Sequence, residues 1–320
     1  MVKSSINEAS YVHKSTKALL QAQIQDVTLA VKTTYINCVL QEQLYISTLD
    51  NVTKARLFLD YAKERYRIGA ARKSDVLKAE SDLAEAEYES SNYHDSQQQA
   101  RNELAMLTGL SVEKLTRLES LPEQQNASSI GVIDSLQNIG LRNYPELLAI
   151  RNMERSQQAK IKQASAALYP QISVRGGYDW SYNPVLKEQK GWNSVVALRW
   201  DIFSGNERRH RIQTEQVQES IYKNQTEQVN IFLFKEINNK MLDIKEAEEQ
   251  IALSIRLMTS TLENLEMAKA QYTAGTGSML ELTDARITNL KAIQRNLEAI
   301  ASYQLAIANL ERLTNNVYDN

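Results

Sequence analysis

Two stretches, YRIGAARKSDVLKA at 66–79 and YTAGTGSMLELTDA at 272–285, constrain the fold of this sequence more than any other feature. In each, a Tyr precedes a Gly by three residues, an acid follows the Gly by six, and an Ala follows the acid by four. Gly69 and Gly275 lie 206 residues apart (275 − 69), and the same offset pairs Asp75 with Glu281, Ala86 with Ala292, Ala100 with Ala306, Leu104 with Leu310 and Leu107 with Leu313. No gap is needed in that span. A gapless correspondence of this length reads as an internal duplication, so the chain is expected to build one unit twice.

The repeated unit reads as a long helical hairpin. Ile24, Val31, Cys38, Tyr45, Val52, Leu59 and Tyr66 recur every seven residues, a stripe that favours supercoiling against a partner helix. With only 10 Gly and 4 Pro in 320 residues, little interrupts such elements. A helix from Ser15 to Tyr66 would reach roughly 75 Å at 1.5 Å per residue. Gly69 supplies the left-handed conformation that ends a helix, and Ser74 is a candidate N-cap for the next. The return helix, about Asp75 to Leu107, carries Ala79, Ala86, Tyr93, Ala100 and Leu107 on one stripe, and Thr108-Gly109 ends it. In the second copy Ile237, Ile244, Ile251, Met258, Leu265 and Tyr272 lead to a turn at Gly275 and Gly277. Ala285, Ala292, Ala299, Ala306 and Leu313 form its return stripe.

Between the copies the pattern changes twice. From Leu110 to Gly140 the periodicity weakens, and Pro122 with the polar run EQQNASS reads as a linker. Asn143-Tyr144-Pro145 then opens a helix that ends near Leu168, before Pro170. From 171 the period becomes two: Ile172, Val174, Tyr178, Trp180 and Tyr182 alternate with Gln171, Ser173, Arg175, Asp179, Ser181 and Asn183. After a loop, NPVLKEQKGWN, a second strand alternates Val196, Leu198, Trp200 and Ile202 with Ala197, Arg199 and Asp201. The expected organisation is a helical hairpin at 1–109, a linker with helices at 110–170, a β-hairpin at 171–203 and a second helical hairpin at 204–320. The final NNVYDN is expected to fray.

All three tryptophans, Trp180, Trp192 and Trp200, fall in the β-hairpin with Tyr178 and Tyr182. Two readings are open: a soluble hairpin packed on a core, or a membrane-spanning hairpin with an apolar lipid face, a polar lumen face and interfacial aromatics. A membrane hairpin needs further strands, since open edges leave backbone groups unpaired in lipid.

Other classes find little in the sequence. Lys and Arg total 37 against 39 Asp and Glu, a net charge of −2 that gives no basic surface for nucleic acid. Cys38, the single cysteine, sits on the apolar stripe. His13, His94 and His210 have no metal-ligand spacing, and no nucleophile, base or phosphate loop is grouped, so neither an enzyme nor a cofactor is expected. Glu281 and Asp284 lie on one helix face. They read either as acids favoured near a helix N-terminus or as an exposed pair that rotational symmetry would turn into a pore ring. Asp75 has the same first reading.

The motifs RYRIGAARKSDVLKAESDL (65–83), NYPELLAIRNMERSQQAKIKQASAALYPQISVRGGY (143–178), VVALRWDIFSGNERRHRI (195–212) and QYTAGTGSMLELTDARITNL (271–290), in that order, resemble the TolC-like outer membrane efflux family over nearly the whole chain. The resemblance implies a homotrimer in the outer membrane of a Gram-negative bacterium. Each subunit would give strands to a shared barrel and long helices to a periplasmic tunnel, and would work with a periplasmic adaptor and an inner-membrane transporter. It implies outer-membrane lipid around the aromatics Tyr178, Trp180, Tyr182, Trp192 and Trp200, and an acidic constriction at Glu281 and Asp284. It further implies an entrance latch at Asp75 and Tyr272, and adaptor-facing turns at Gly69, Arg72, Ser74, Gly275, Thr276 and Ser278. Gly277 departs from members that carry a latching Arg there. By the 206-residue offset Glu207 corresponds to Met1, so a signal peptide and a first barrel hairpin, about 100 residues, are expected upstream. The competing reading is a spectrin-like helical scaffold, for which an aromatic β-hairpin between the repeats has no use.

Overall fold

The structure is a computed structural model that describes residues 2–115, 118–121, 133–184 and 187–315. The chain is mainly α-helical with one antiparallel β-hairpin. Its elements are α1 (Val2–Arg67), α2 (Lys73–Thr108), a 3₁₀ turn (Val112–Leu115), α3 (Ile133–Asn143), α4 (Pro145–Ala166), β1 (Gln171–Asn183), β2 (Lys187–Arg199), α5 (Glu207–Ala274) and α6 (Met279–Thr314). Pro122, the run 123–129, and 316–320 of the tail lie outside the described residues.

α1 and α5 run for 66 and 68 residues because neither contains a Gly or Pro. α1 begins at Val2, well before the Ser15 expected from the apolar stripe. Its first turns are held by polar contacts that periodicity does not register: Lys160 lies 3.8 Å from the Glu8 carboxylate, and Ser15 Oγ donates to the Ala149 carbonyl at 3.0 Å. The seven-residue stripe is buried at Cys38 and Leu59 but half exposed at Ile24 and Tyr66. A straight helix drifts about 20° per heptad, so a strict stripe leaves the contact face at its ends.

The return helices α2 and α6 are each 36 residues long. Both bury their alanine stripes, at Ala79, Ala86 and Ala100 in one and Ala285, Ala292, Ala299 and Ala306 in the other. Small side chains there let the neighbouring helix approach closely.

The chain divides into two compact units, Met1–Ala22 with Arg142–Phe232, and Gln23–Leu141 with Leu233–Asn320. The first holds the β-hairpin and α4, whose buried Leu147, Ala149 and Ala159 form its packed face. The second holds α2, α6 and the turns that join the long helices. α3, in the region expected to be linker, presents Gly140 to α5 so closely that a Cβ would sit 3.0 Å from Ile237 Cδ1 and 3.3 Å from Leu233 Cδ2.

The strands pair over 13 residues each, from Gln171 opposite Arg199 to Asn183 opposite Lys187. They are longer than the expected ten, and most of the expected loop NPVLKEQKGWN is strand. Trp200 and Ile202, assigned above to the second strand, lie beyond its end at Arg199. The hairpin register continues from β1, and the ladder supports polar residues that show no alternation of their own.

Candidate functional site

The two turns that resemble each other in sequence are built by the same hydrogen bonds. After α1, the Gly69 N–H donates to the Tyr66 carbonyl at 3.0 Å and the Ala70 N–H to the Arg65 carbonyl at 2.7 Å. After α5, the Gly275 N–H donates to Tyr272 at 3.1 Å and the Thr276 N–H to Gln271 at 3.0 Å. Each is a Schellman ending, with its glycine at φ +75° or +85°. Gly277 closes the second turn further: a Cβ there would stand 3.0 Å from Gln271 Cβ and 3.2 Å from the Tyr272 amide nitrogen. The turn is too tight for a side chain at 277 without rearrangement.

The outgoing helices also start alike, through their acids. Glu281 accepts from the Ser278 N–H at 2.9 Å, while its own N–H donates to Ser278 Oγ at 3.2 Å. This reciprocal box holds the Glu281 carboxyl below its usual range, through the Ser278 backbone bond first and the Ser278 side chain second. In the first copy Asp75 accepts from the Arg72 N–H at 3.1 Å. The N-cap is therefore Arg72, in extended conformation, and not Ser74, which is exposed inside the first turn. The acid, rather than the serine, sets where the helix begins. Asp284 is exposed one turn along from Glu281 and has no ion pair among the described residues.

The two turns share one apolar core. Phe58, Leu59 and Ala62 of α1, Val76 and Ala79 of α2, Leu265 and Tyr272 of α5, and Met279, Leu282 and Ala285 of α6 are buried together. Leu282 is wholly inaccessible, and burying a side chain of this kind stabilises by about 1.5–3 kcal/mol.

Arg65 bridges the turns. Its Nη1 donates to the Tyr272 carbonyl, its Nη2 donates to the Ala70 carbonyl at 3.2 Å, and its guanidinium carbon lies 5.0 Å over the Tyr272 ring. A Cβ at Gly275 would meet Nη2 at 3.1 Å. Tyr272 is almost fully buried and its hydroxyl has no hydrogen-bond partner among the described residues. Burial pushes the phenol pKa up, nearby Asp75 adds to the rise, and Arg65 opposes it. Gly69, Arg72, Ser74, Gly275, Thr276 and Ser278 are all exposed around this core.

Below the turns lies a polar layer that the sequence reading missed. Asp82 of α2 is buried and accepts from Thr283 Oγ1 of α6 at 2.6 Å and from Lys78 Nζ at 2.7 Å. Arg286 is 4 % exposed and donates to Asn51 Oδ1 of α1, and Asn289 donates to Thr261 Oγ1 of α5 at 3.3 Å. Burial lowers the Arg286 pKa, while Asp82 and Glu89 raise it. A signal was present: Asp82 stands on the Ala79–Ala86 stripe, and Arg286 follows Leu282 by one turn.

In the other unit, one face of the hairpin is mostly apolar, with Lys190 and Glu188 on it towards the strand connection, and Val195 interrupts the polar face. Ile172, Val174, Tyr178 and Trp180 lie opposite Leu198, Val196, Trp192 and Lys190. The Tyr178 and Trp192 rings meet at 4.8 Å. On the reverse face Asn193 Nδ2 donates to the Asp179 carboxylate, and Arg175 and Ser173 follow on the same side of β1. Trp180, Tyr182, Trp192 and Trp200 are all more than half exposed, and Tyr178 is half exposed. No helix among the described residues is long and apolar enough to cross a membrane.

The chain matches the outer membrane efflux protein family over residues 1–110 and 137–316. It is 23 % identical over 262 residues to outer membrane protein OprJ of Pseudomonas aeruginosa, covering 80 % of this chain and 54 % of that protein. Nodulation protein T of Rhizobium leguminosarum bv. viciae is 23 % identical over 311 residues, covering 95 % of this chain and 62 % of that one. The chain thus spans between half and two thirds of the length of these relatives. Among solved structures, the outer-membrane channel OprN superposes with a TM-score of 0.86 at 19 % identity, covering 99 % of this chain and 72 % of that one.

Proposed function

Because the chain belongs to the outer membrane efflux protein family, we propose that it forms part of a passive export duct in the outer membrane of a Gram-negative bacterium. It works as a homotrimer, with a periplasmic adaptor and an inner-membrane transporter, in a tripartite efflux pump or a type I secretion system. The observation that carries this reading is the hairpin. Among the described residues its two strands leave both edges unpaired, and they expose Ile172, Val174, Trp180, Trp192, Val196 and Leu198 on one face. Lipid over that face and neighbouring strands along those edges satisfy both demands, whereas water can bond the edges but leaves the apolar face unburied.

The two helical hairpins are duplicates, a reading supported by their matched Schellman turns and equal return helices. Their joined turns form the tunnel entrance and its adaptor-facing surface. Asp75 and Tyr272 are its latch, with Arg65 supplying the guanidinium that Gly277 has no room to carry. Glu281 and Asp284, exposed on one face, become six carboxylates around a three-fold axis and narrow the mouth to cations.

The test is expression of the whole gene product in a Gram-negative host, followed by fractionation and chemical cross-linking. The reading expects the protein in the outer-membrane fraction, cross-linked as a trimer. Recovery as a soluble monomer overturns it.

A further inference from the structure

At the foot of the hairpin, α4 leads into β1 and β2 leads out to α5. The apolar side chains here are bare: Tyr169 on the way in, and Trp200, Ile202 and Phe203 on the way out, the last 90 % exposed. Arg208 ties the start of α5 to this foot, donating from Nη1 to the Asp201 carbonyl at 2.8 Å and pairing with its carboxylate.

One turn further along α5, Arg211 lines a cavity of about 410 Å³ with Lys160 and Gln163 of α4, Glu8 of α1 and Glu215 of α5. Lys160, Gln163 and Ala164 lie on one face of α4, and Ala167, its C-cap, leads directly to the exposed Leu168 and Tyr169. The lining of the cavity therefore ends, at Ala167, one residue before the exposed chain that leads into the foot. It holds two cations and two acids. Lys160 stands 3.8 Å from Glu8, and Gln157 Nε2 donates to the Glu215 carboxylate at 2.5 Å and to its carbonyl at 3.0 Å. Arg211 has no carboxylate partner among the described residues.

A purely anionic group would meet both acids here, and a purely cationic one both basic residues. A balanced set of this kind suits a headgroup that carries both signs, with apolar chains attached to use the foot. Resting on the membrane reading of the hairpin given above, we propose that this cavity seats the phosphoethanolamine headgroup of a phospholipid. Arg211 grips the phosphodiester through its planar fork, with Lys160 and Gln163 beside it. Glu8 and Glu215 accept from the primary ammonium, and the acyl chains lie against Ile202 and Phe203. A trimethylated ammonium has no N–H to give those carboxylates, which separates this lipid from phosphatidylcholine.

Native mass spectrometry of the detergent-purified protein, doped in turn with phosphatidylethanolamine, phosphatidylcholine and phosphatidylglycerol, tests this. Phosphatidylethanolamine is expected to be retained on the order of tenfold better than the other two, the scale of one charge-assisted hydrogen bond partly screened by water. Arg211→Gln is expected to weaken retention of all three lipids, with Arg211→Lys keeping part of it, whereas Glu8→Gln combined with Glu215→Gln is expected to abolish the preference for phosphatidylethanolamine over phosphatidylcholine. Arg211 is exposed, and an unchanged melting curve will show that the variants are folded. Equal retention of the three lipids by the unaltered protein, retention unaffected by Arg211→Gln, or a preference that survives loss of both carboxylates overturns the proposal. Equally strong binding of soluble glycerophosphoethanolamine also overturns it, since that molecule cannot use the apolar foot. Partition of the unaltered protein onto phosphatidylcholine vesicles is the separate arm. Failure there removes the membrane reading itself, whereas partition without lipid preference removes only the headgroup site.

Discussion

The guanidinium of Arg65 lies over the ring of Tyr272, 5.0 Å from its centre, and donates to the carbonyl of that same residue. It is the polar tie between two turns otherwise joined by apolar packing. Replacing Arg65 by Ala removes charge-assisted bonds to two carbonyls and is expected to cost about 1.5–3 kcal/mol. Hydrogen exchange is the measurement: amides at 66–76 and 272–280 should lose protection while those of α4 keep theirs. Unchanged exchange at both turns would show that the apolar core alone holds them.

The two turn glycines should respond differently to the same substitution. Gly69→Ala places a side chain at φ +75° in open space, a cost of about 1–2 kcal/mol from the left-handed backbone alone. Gly275→Ala meets the same backbone cost and also puts a Cβ 3.1 Å from Arg65 Nη2. Denaturant melts should place Gly275→Ala below Gly69→Ala, and the excess should vanish in an Arg65→Ala background. An excess that persists without Arg65 means the clash is not the cause.

Asp82 accepts from Thr283 and Lys78 in a buried layer beside Arg286. Asp82→Ala leaves these donors without their acceptor and a buried cation without its nearest acid, for an expected loss of about 3 kcal/mol. Asp82→Asn keeps an acceptor for Thr283 and should lose less. Thermal melts of the two variants, with the surface change Glu85→Ala as a reference, check the order.

Glu281 and Asp284 can be separated because only Glu281 closes a capping box. Its carboxyl is depressed below the usual 4.5, so the contribution to stability is complete above that value and is lost as pH falls through the lower folded pKa. Glu281→Ala should flatten that acid limb and Asp284→Asn should leave it unchanged. If the pair also narrows a tunnel mouth, Asp284→Asn should reduce cation selectivity in single-channel recordings without changing the melting temperature. An unaltered selectivity leaves both acids with structural roles only.

The parts of this fold that are written locally were legible. Gly69, Gly109 and Gly275 marked helix ends because a left-handed residue is a single-position requirement, and each adopts φ between +68° and +85°. β1 was legible from its alternation. The first half of β2 was not, since KEQKGWN has no period and is strand only because β1 pairs with it. α3 was missed because Gly140 looks like a breaker until Ile237 and Leu233 are brought against it. The polar layer joins Asn51, Asp82, Thr283 and Arg286 from three helices, and no local spacing links residues so far apart in the chain. Even so, a charged residue on an alanine stripe, as at Asp82, is a sign that the stripe has a polar partner.

Every bond that Arg65 makes across the turns ends on a main-chain carbonyl, at Tyr272 or Ala70. Carbonyls are common to all residues, so the acceptors survive any change of side chain that spares the path of the chain. Ala70, Arg72 and Thr276 are thus free to vary in size and charge while the joint beneath them holds. Drift in what the surface of these turns displays is uncoupled from drift in what keeps them closed, and a chain of this kind can change the partner it greets without relearning how to fold.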